Sequence, residues 1–411
     1  MQIAFDALMY PFLFLTLYFE VFAILTFFDR EAKRRRTLKK SDTFPSVSVI
    51  VPCFNEEKTL RDTVSSLLGL DYPKEQLSIV LVNDGSTDAT RQVMDEYANH
   101  PHIKLMHQKN SGKHTALNAG INASRSEYIA CLDADSFVAP NALRESVAHF
   151  DGPRIGAVTA SISVYEPTGM VEKMQQAEYA LGIVLRHILS IMNGLYVTPG
   201  PFTVYRRDVF EKVGPFRAAH QTEDMEIALR MQRSGWHIHN APRAVVYTKA
   251  PATFSLLIKQ RIRWTTGFMR NCIDNRDIFG NPIYGVLGLL VLPFNFILIF
   301  FGIALFIVGM LRLGENLWQW LIHTSQLPLT ELLHFPSLNW FFAPVSAIAL
   351  LLLIAMTFAF GLMYVGAKIS KISNPMMLPI VWFALLYGLV APFWLMRAAL
   401  DVALDIKRSW R

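Results

Sequence analysis

Only three of the 411 residues are cysteine, and Cys53, Cys131 and Cys272 are odd in number and far apart. That argues against a disulfide framework and against a zinc site, and it fits a reducing compartment with the thiols as core filler. No Gly-rich dinucleotide fingerprint or Walker loop follows any strand-like run, which speaks against hydride transfer and against a P-loop ATPase. No interleaving of basic and aromatic residues is found, so nucleic acid is not an expected partner. The first apolar run has no basic residue before it and no small-residue cleavage site after it, so it is not read as a cleaved signal peptide.

What the chain has in excess is apolar residues, 52% of the total, with a net charge of +6. They concentrate in 8–28 and again after Ile283. Residues 9–28 suffice to cross a hydrocarbon core as one helix, with Glu20 obliged to face protein or water. Arg30, Lys33, Arg34, Arg35, Arg36, Lys39 and Lys40 follow, which places the N-terminus outside and the middle of the chain in the cytoplasm, beside anionic membrane lipids. Later runs fall at 284–311, interrupted by Pro293 and Asn295, at 341–365, and at 376–396, broken by Pro379, Gly388 and Pro392. The stretch 313–339 carries charged and turn residues and is expected outside the hydrocarbon. Three spans from the cytoplasm put Lys407, Arg408 and Arg411 outside, against the positive-inside rule; a re-entrant hairpin, or a bend and return in the run 284–311, would restore parity. The expected division is a transmembrane helix at 1–29, a basic linker at 30–44, a cytoplasmic domain with interfacial helices at 45–275, and a membrane region of about three spans at 276–411.

Between these segments, strand-like runs at 47–52, 77–82, 103–106, 128–132 and 155–164 alternate with helical patterns at 56–68, 89–97 and 115–123. Asn55 is expected to cap the first helix. The alternation predicts an α/β domain with a mainly parallel sheet and helices on both faces, whose ligand sites lie at strand C-termini. Asn55, Asp84, Asp133 and Asp135 fall there. Asp133 and Asp135, one residue apart, either share a cation with a substrate diphosphate or serve as turn and cap residues. Asp84 either faces a ligand or begins an Asp-Gly turn, and Lys113 either meets phosphate or is a solvated lysine at a helix start. The helical pattern at 171–189 suits either the membrane surface or the domain, while Gly200 permits close approach of a ligand or of another backbone.

Thr222, Glu223 and Asp224 open a further helix, where acids are stabilised by the helix dipole; alternatively Asp224 is a general base. A helix at 254–269 carries Gln260, Arg263 and Trp264 on one face: an amide, a bidentate anion donor and an aromatic plate. A helix resting at the membrane interface accounts for Trp and Arg equally well.

Taken in order, Asp84 in its Asp-Gly-Ser turn, Asp133-Ala134-Asp135, Thr222-Glu223-Asp224 and Gln260-Arg261-Ile262-Arg263-Trp264 resemble the membrane-embedded processive β-glycosyltransferases of family 2, among them cellulose, chitin, hyaluronan and poly-N-acetylglucosamine synthases. The resemblance covers about 45–271 and implies a GT-A-like domain flanked by transmembrane and interfacial helices. It implies a UDP-sugar donor, best matched by UDP-N-acetylglucosamine, a Mg²⁺ or Mn²⁺ cofactor, and a growing polysaccharide or glycolipid acceptor. Accessory secretion subunits are compatible with it. Asp84, Pro52 and Asn55 would bind the nucleoside, Asp133 and Lys113 the nucleotide and its phosphates, and Asp135 the metal. Asp224 would take the proton from the acceptor hydroxyl, with Glu223 beside it at the substrate. Gln260 and Arg263 would grip the diphosphate, and Trp264 would stack beneath the acceptor sugar at a conduit through the inner membrane. The first element reads Asn83-Asp84 where many members have two acids.

Overall fold

The computed structural model describes residues 2–34, 44–325, 346–372 and 375–406. The strands are β1 Val47–Cys53, β2 Leu77–Asp84, β3 Ile103–Gln108, β4 Tyr128–Cys131, β5 Ser136–Val138, β6 Ile155–Val164, β7 Thr203–Arg206 and β8 His237–Thr248. The helices are α1 Gln2–Arg34, α2 Leu60–Leu68, α3 Thr90–Asp95, α4 Lys113–Ala123, α5 Ala142–Val147, α6 Met170–Ile191, α7 Arg207–Val213, α8 Glu223–Arg233, α9 Phe254–Asp274, α10 Leu292–Ser325, α11 Ala347–Ile369 and α12 Met377–Ala403.

All eight strands join one sheet in the order β3-β2-β1-β4-β7-β6-β8-β5. The run Val47-Ser48-Val49-Ile50-Val51 has no room for water on either face, the pattern of a central parallel strand. Val47, Val49 and Val51 point to the side covered by α2 and α5, and Ile50 to the side covered by α4, α7 and α8. A β-carbon on Gly120 would overlap Ile50, which is how closely α4 lies on β1. The sheet is more mixed than expected: β1, β2, β3 and β4 pair in parallel, as do β6 and β8, while β7 runs antiparallel to β4 and β6, and β5 antiparallel to β8.

The chain leaves β1 toward β2 and β3 on one side and reaches β4 on the other, so the order reverses between β1 and β4. β1 continues to Cys53, paired with β2, whereas its pairing with β4 ends at Ile50 and Cys131. A crevice therefore opens at the carboxyl ends of these strands, where open α/β sheets bind ligands.

Among the described residues four helices are long and apolar enough to cross a membrane: Phe5–Phe27, Leu287–Ser325, Ala347–Ile369 and Met377–Ala403. Glu20, which sequence alone required to face protein or water, is buried, 8% exposed. Around Pro293 and Asn295 the chain does not break. It forms a π-turn, Leu287–Val291, that runs into α10, and Asn295 Nδ2 donates to the Val291 carbonyl at 2.8 Å. At 1.5 Å per residue, 39 residues extend about 58 Å, nearly twice a hydrocarbon core of about 30 Å. A helix of that length, standing untilted, leaves part of itself outside the hydrocarbon. Among the described residues no re-entrant hairpin is seen and the run 284–311 does not turn back; Lys407, Arg408 and Arg411, like 326–345, lie outside them.

Helix α6 packs on the domain and on an apolar helix at once. Its Ser190 Oγ accepts from the Asn240 N–H of β8, while Ala177 and Ala180 pack on Met363 and Ala367 of α11. A β-carbon on Gly366 would overlap the Ala180 carbonyl.

Candidate active site

The crevice is a cleft of about 350 Å³ whose walls come from Pro52 in β1, Phe54 and Glu56 after it, Asp84 at the end of β2, Lys113 at the start of α4, Asp133 and Asp135 after β4, Gln221 before α8, and Arg263 of α9. Six residues expected at the site thus converge from segments far apart in sequence.

Lys113 is the first residue of α4, and it is paired, not solvated. Its Nζ lies 2.5 Å from Asp133 Oδ1 and 3.6 Å from Glu223 Oε1. Burial favours the neutral amine, but the charges of Asp133, Glu223 and Asp224 outweigh it and raise the pKa, so Lys113 stays protonated. Gly200 makes this pair possible. A β-carbon there would come within 2.7 Å of Lys113 Nζ and 2.8 Å of Asp133 Oδ2.

Asp84 is almost wholly buried. Its Oδ1 accepts from Gln108 Nε2 at 2.8 Å and from the Ser111 N–H at 3.0 Å, and Oδ2 from the Gly112 N–H at 3.0 Å. Besides edging the cleft, the carboxylate therefore folds the loop that delivers Lys113. Asn55 departs from expectation. Helix α2 starts at Leu60 behind Thr59, and Asn55, at φ 58°, turns its Oδ1 to the Thr87 N–H at 2.8 Å. Asparagine tolerates this left-handed conformation, so Asn55 ties the loop after β1 to the loop after β2 and stands at the rim, outside the lining.

Asp135 accepts from Ser136 Oγ at 3.1 Å, and burial followed by the charge of Asp133 raises its pKa. Glu56, which the sequence reading passed over, is raised by burial and by Asp135, Asp133 and Asp88, against the lowering effect of the Thr59 hydroxyl at 2.6 Å. Carboxylates that are hard to ionise together on one wall suit a divalent cation, whose charge would relieve them. Among the described residues no three His, Cys, Asp or Glu side chains form a ready metal cage. A cation here would complete its shell with ligand and water oxygens, as Mg²⁺ and Mn²⁺ do beside phosphates.

Asp224 lies in the first turn of α8. Thr222 occupies the capping position, but its side chain accepts no bond from the helix; its Oγ1 accepts from Asn271 Nδ2 at 2.9 Å. The Asp224 carbonyl accepts from Thr198 Oγ1 at 2.7 Å, and its Oδ1 from the Met225 N–H at 2.9 Å. Burial first, and the Glu223 charge second, raise its pKa to about 6 against the opposing pull of Lys113 and Arg263. That is the range of a carboxylate suited to accept a proton near neutrality.

Helix α9 turns the face of Arg263, Gly267 and Asn271 to the start of α8. Arg263 Nη1 donates to the Gln221 carbonyl at 3.3 Å, and Gly267 lies against Thr222. Trp264 is 39% exposed, and Gln260 Oε1 accepts from Arg261 Nη1 at 2.9 Å; neither residue lines the cleft. The three cysteines are free and buried; burial raises the thiol pKa of Cys131 and Cys272 to about 12, so both are inert.

The α/β sheet gathers acids and cations at its switch point, where open sheets bind ligands, and it is joined to long apolar helices. Residues 45–267 match the family described as glycosyltransferase like family 2, and the chain belongs to that family. Poly-beta-1,6-N-acetyl-D-glucosamine synthases of Staphylococcus epidermidis and of Staphylococcus aureus strain COL are each 32% identical to it, over 267 and 269 residues. Each match covers 63% of this chain and 64% of the relative's length. A mannosyltransferase of Pyrobaculum calidifontis, solved with GDP-Man and Mn²⁺, superposes with a TM-score of 0.59 at 20% identity, covering 98% of this chain and 99% of that one. The expected GT-A-like fold is thereby shown, accompanied among the described residues by four candidate membrane-spanning helices.

Proposed function

We propose that the protein is an inverting, processive membrane glycosyltransferase that uses a UDP-sugar, UDP-N-acetylglucosamine being the best match, to extend and export a β-linked polysaccharide from the cytoplasmic side of the inner membrane. The observation that carries this reading is the meeting of Lys113, Asp133, Asp135 and Arg263 in one cleft, with Asp224 in reach of their charges. The 32% identity to poly-N-acetylglucosamine synthases supports the choice of sugar.

In this account Pro52 and Asp84 flank the nucleoside, and Lys113 and Arg263 face the diphosphate. A divalent cation held by Asp135 would neutralise charge on the departing diphosphate. Arg263 presents a planar fork to the same oxygens and Lys113 a point charge, both fixed before substrate arrives. Asp224 accepts the acceptor hydroxyl's proton as the hydroxyl attacks, a step worth roughly 10²- to 10⁴-fold in rate. Attack from the face opposite UDP turns an α-linked donor into a β-linked product, and no covalent enzyme intermediate is required. Trp264 offers its ring to the acceptor sugar.

The test is a panel of UDP-sugars given separately to the detergent-purified protein with Mg²⁺, with products sized and digested by linkage-specific glycosidases. Long polymer from UDP-N-acetylglucosamine is expected. Short lipid-linked product would replace polymer synthesis with lipid glycosylation.

A further inference from the structure

Helices α6, α9 and α12 meet in a junction that is apolar at one level, where Val171 and Met174, Leu257, and Phe383 and Leu386 pack together. One turn further along all three helices it is polar. Arg261 Nη2 of α9 lies 2.6 Å from Glu178 Oε2 of α6, and Tyr387 of α12 donates its hydroxyl to Glu178 Oε1 at 3.4 Å. Arg261 is 4% exposed. Its guanidinium carbon stands 4.3 Å from the ring centroid of Trp264, and its Nη1 donates to Gln260 Oε1.

A buried ion pair adds little net stability, because desolvation offsets its attraction. What it fixes is geometry: a planar guanidinium held through Nη2 by Glu178 and through Nη1 by Gln260, and set over an indole, leaves that indole little freedom. Tyr387 in turn holds Glu178 and is itself packed, with Phe383 at 4.5 Å and Trp394 at 5.5 Å between ring centroids. The chain of contacts runs from apolar helix α12, through α6 and Arg261, to Trp264, which follows the cleft residue Arg263 in sequence.

We infer that Glu178, Arg261 and Tyr387 are positioning residues that set the plane of Trp264 and tie it to membrane helix α12, so that the acceptor end of the site keeps register with the helices through which product would leave. The acceptor part of this inference rests on the function proposed above; the placement of Trp264 does not.

The full-length protein is compared with Glu178→Gln, Glu178→Asp, Arg261→Lys and Tyr387→Phe by two readouts. The first is acrylamide quenching of Trp264, obtained as the difference between each protein and its Trp264→Phe counterpart. The second is the KM for N-acetylglucosamine oligosaccharide acceptors against the KM for donor. Expected are a Trp264 quenching constant about twofold higher and an acceptor KM about tenfold higher in Glu178→Gln and Arg261→Lys, the size of one lost coupling in a packed network. Tyr387→Phe should show a smaller effect of the same sign, Glu178→Asp a partial return to wild type, and donor KM no change. Trp264 quenching unchanged in Glu178→Gln and Arg261→Lys overturns the inference whatever turnover does, as does an equal rise in donor and acceptor KM. Absence of turnover in the wild type, with quenching changed as expected, would sink the proposed activity and leave the positioning network standing.

Discussion

Gly267 of α9 touches Thr222 so closely that a β-carbon at 267 would overlap its Cγ2 and Oγ1. Thr222 is also held by Asn271, one turn further along α9, and stands two residues before Asp224. The helix that carries Arg263 and Trp264 thus fixes the start of the helix that carries the proposed base.

Gly267→Ala should therefore push Thr222 and the first turn of α8 aside. Displacement of a base by a fraction of an ångström to 1 Å costs up to about 10²-fold in rate. Initial rates should fall by ~10- to 100-fold with donor KM within about twofold, the signature of misplaced chemistry rather than lost binding. A rise in donor KM at unchanged kcat would contradict this.

The pH dependence follows from Asp224. Its pKa rises from the ordinary 3.8 to about 6 on folding, chiefly through burial. As a base it must be ionised, so kcat should climb with pH through about 6 and level off above. The stability sign is opposite. A carboxyl with a raised folded pKa contributes stability that is complete below 3.8 and lost as pH rises through about 6. At pH 7.5, then, Asp224→Asn should melt at a higher temperature than the wild type while losing turnover. A lower melting temperature would show that the charge is compensated in place.

Gly200→Ala tests the Lys113–Asp133 pair. The added methyl must move one partner, since it would sit 2.7 Å from Lys113 Nζ. Donor KM should rise by about tenfold, equivalent to ~1.4 kcal/mol or one charged contact. Titration with UDP by calorimetry should show the same loss, whereas unchanged UDP affinity would place the pair outside the nucleotide site.

Chelation addresses the acids. EDTA should abolish UDP release, and Mg²⁺ or Mn²⁺ should restore it. Asp135→Asn should need more of either cation for half-maximal rate, by about tenfold or more. Full activity in EDTA would assign Asp135 and Glu56 to structure alone.

Much of the site was legible because strand ends are written locally. A buried run followed by Asp133 and Asp135 signals a strand C-terminus whichever way its neighbours pair, and so does Asp84. The mixed sheet was not legible, because the antiparallel placement of β7 depends on partners far away in sequence. Asn55 was misplaced for a related reason: its capping chemistry suited a helix, but the loop after β2 offered Thr87 instead. Glu56 and Gln221 were passed over although each adjoins a residue singled out, Asn55 and Thr222. Gly267 and the Glu178–Arg261 pair carry no local signal; their roles exist only once α6, α8 and α9 are packed together.

The most direct measurement is UDP release from UDP-N-acetylglucosamine with Mg²⁺ by purified wild type and by Asp224→Asn, with products sized from the same reactions. Metal-dependent release with long polymer in the wild type, reduced by about 10³-fold in the variant, is predicted. Release that the variant preserves would reduce Asp224 to an acid stabilised by its helix dipole and contradict the account.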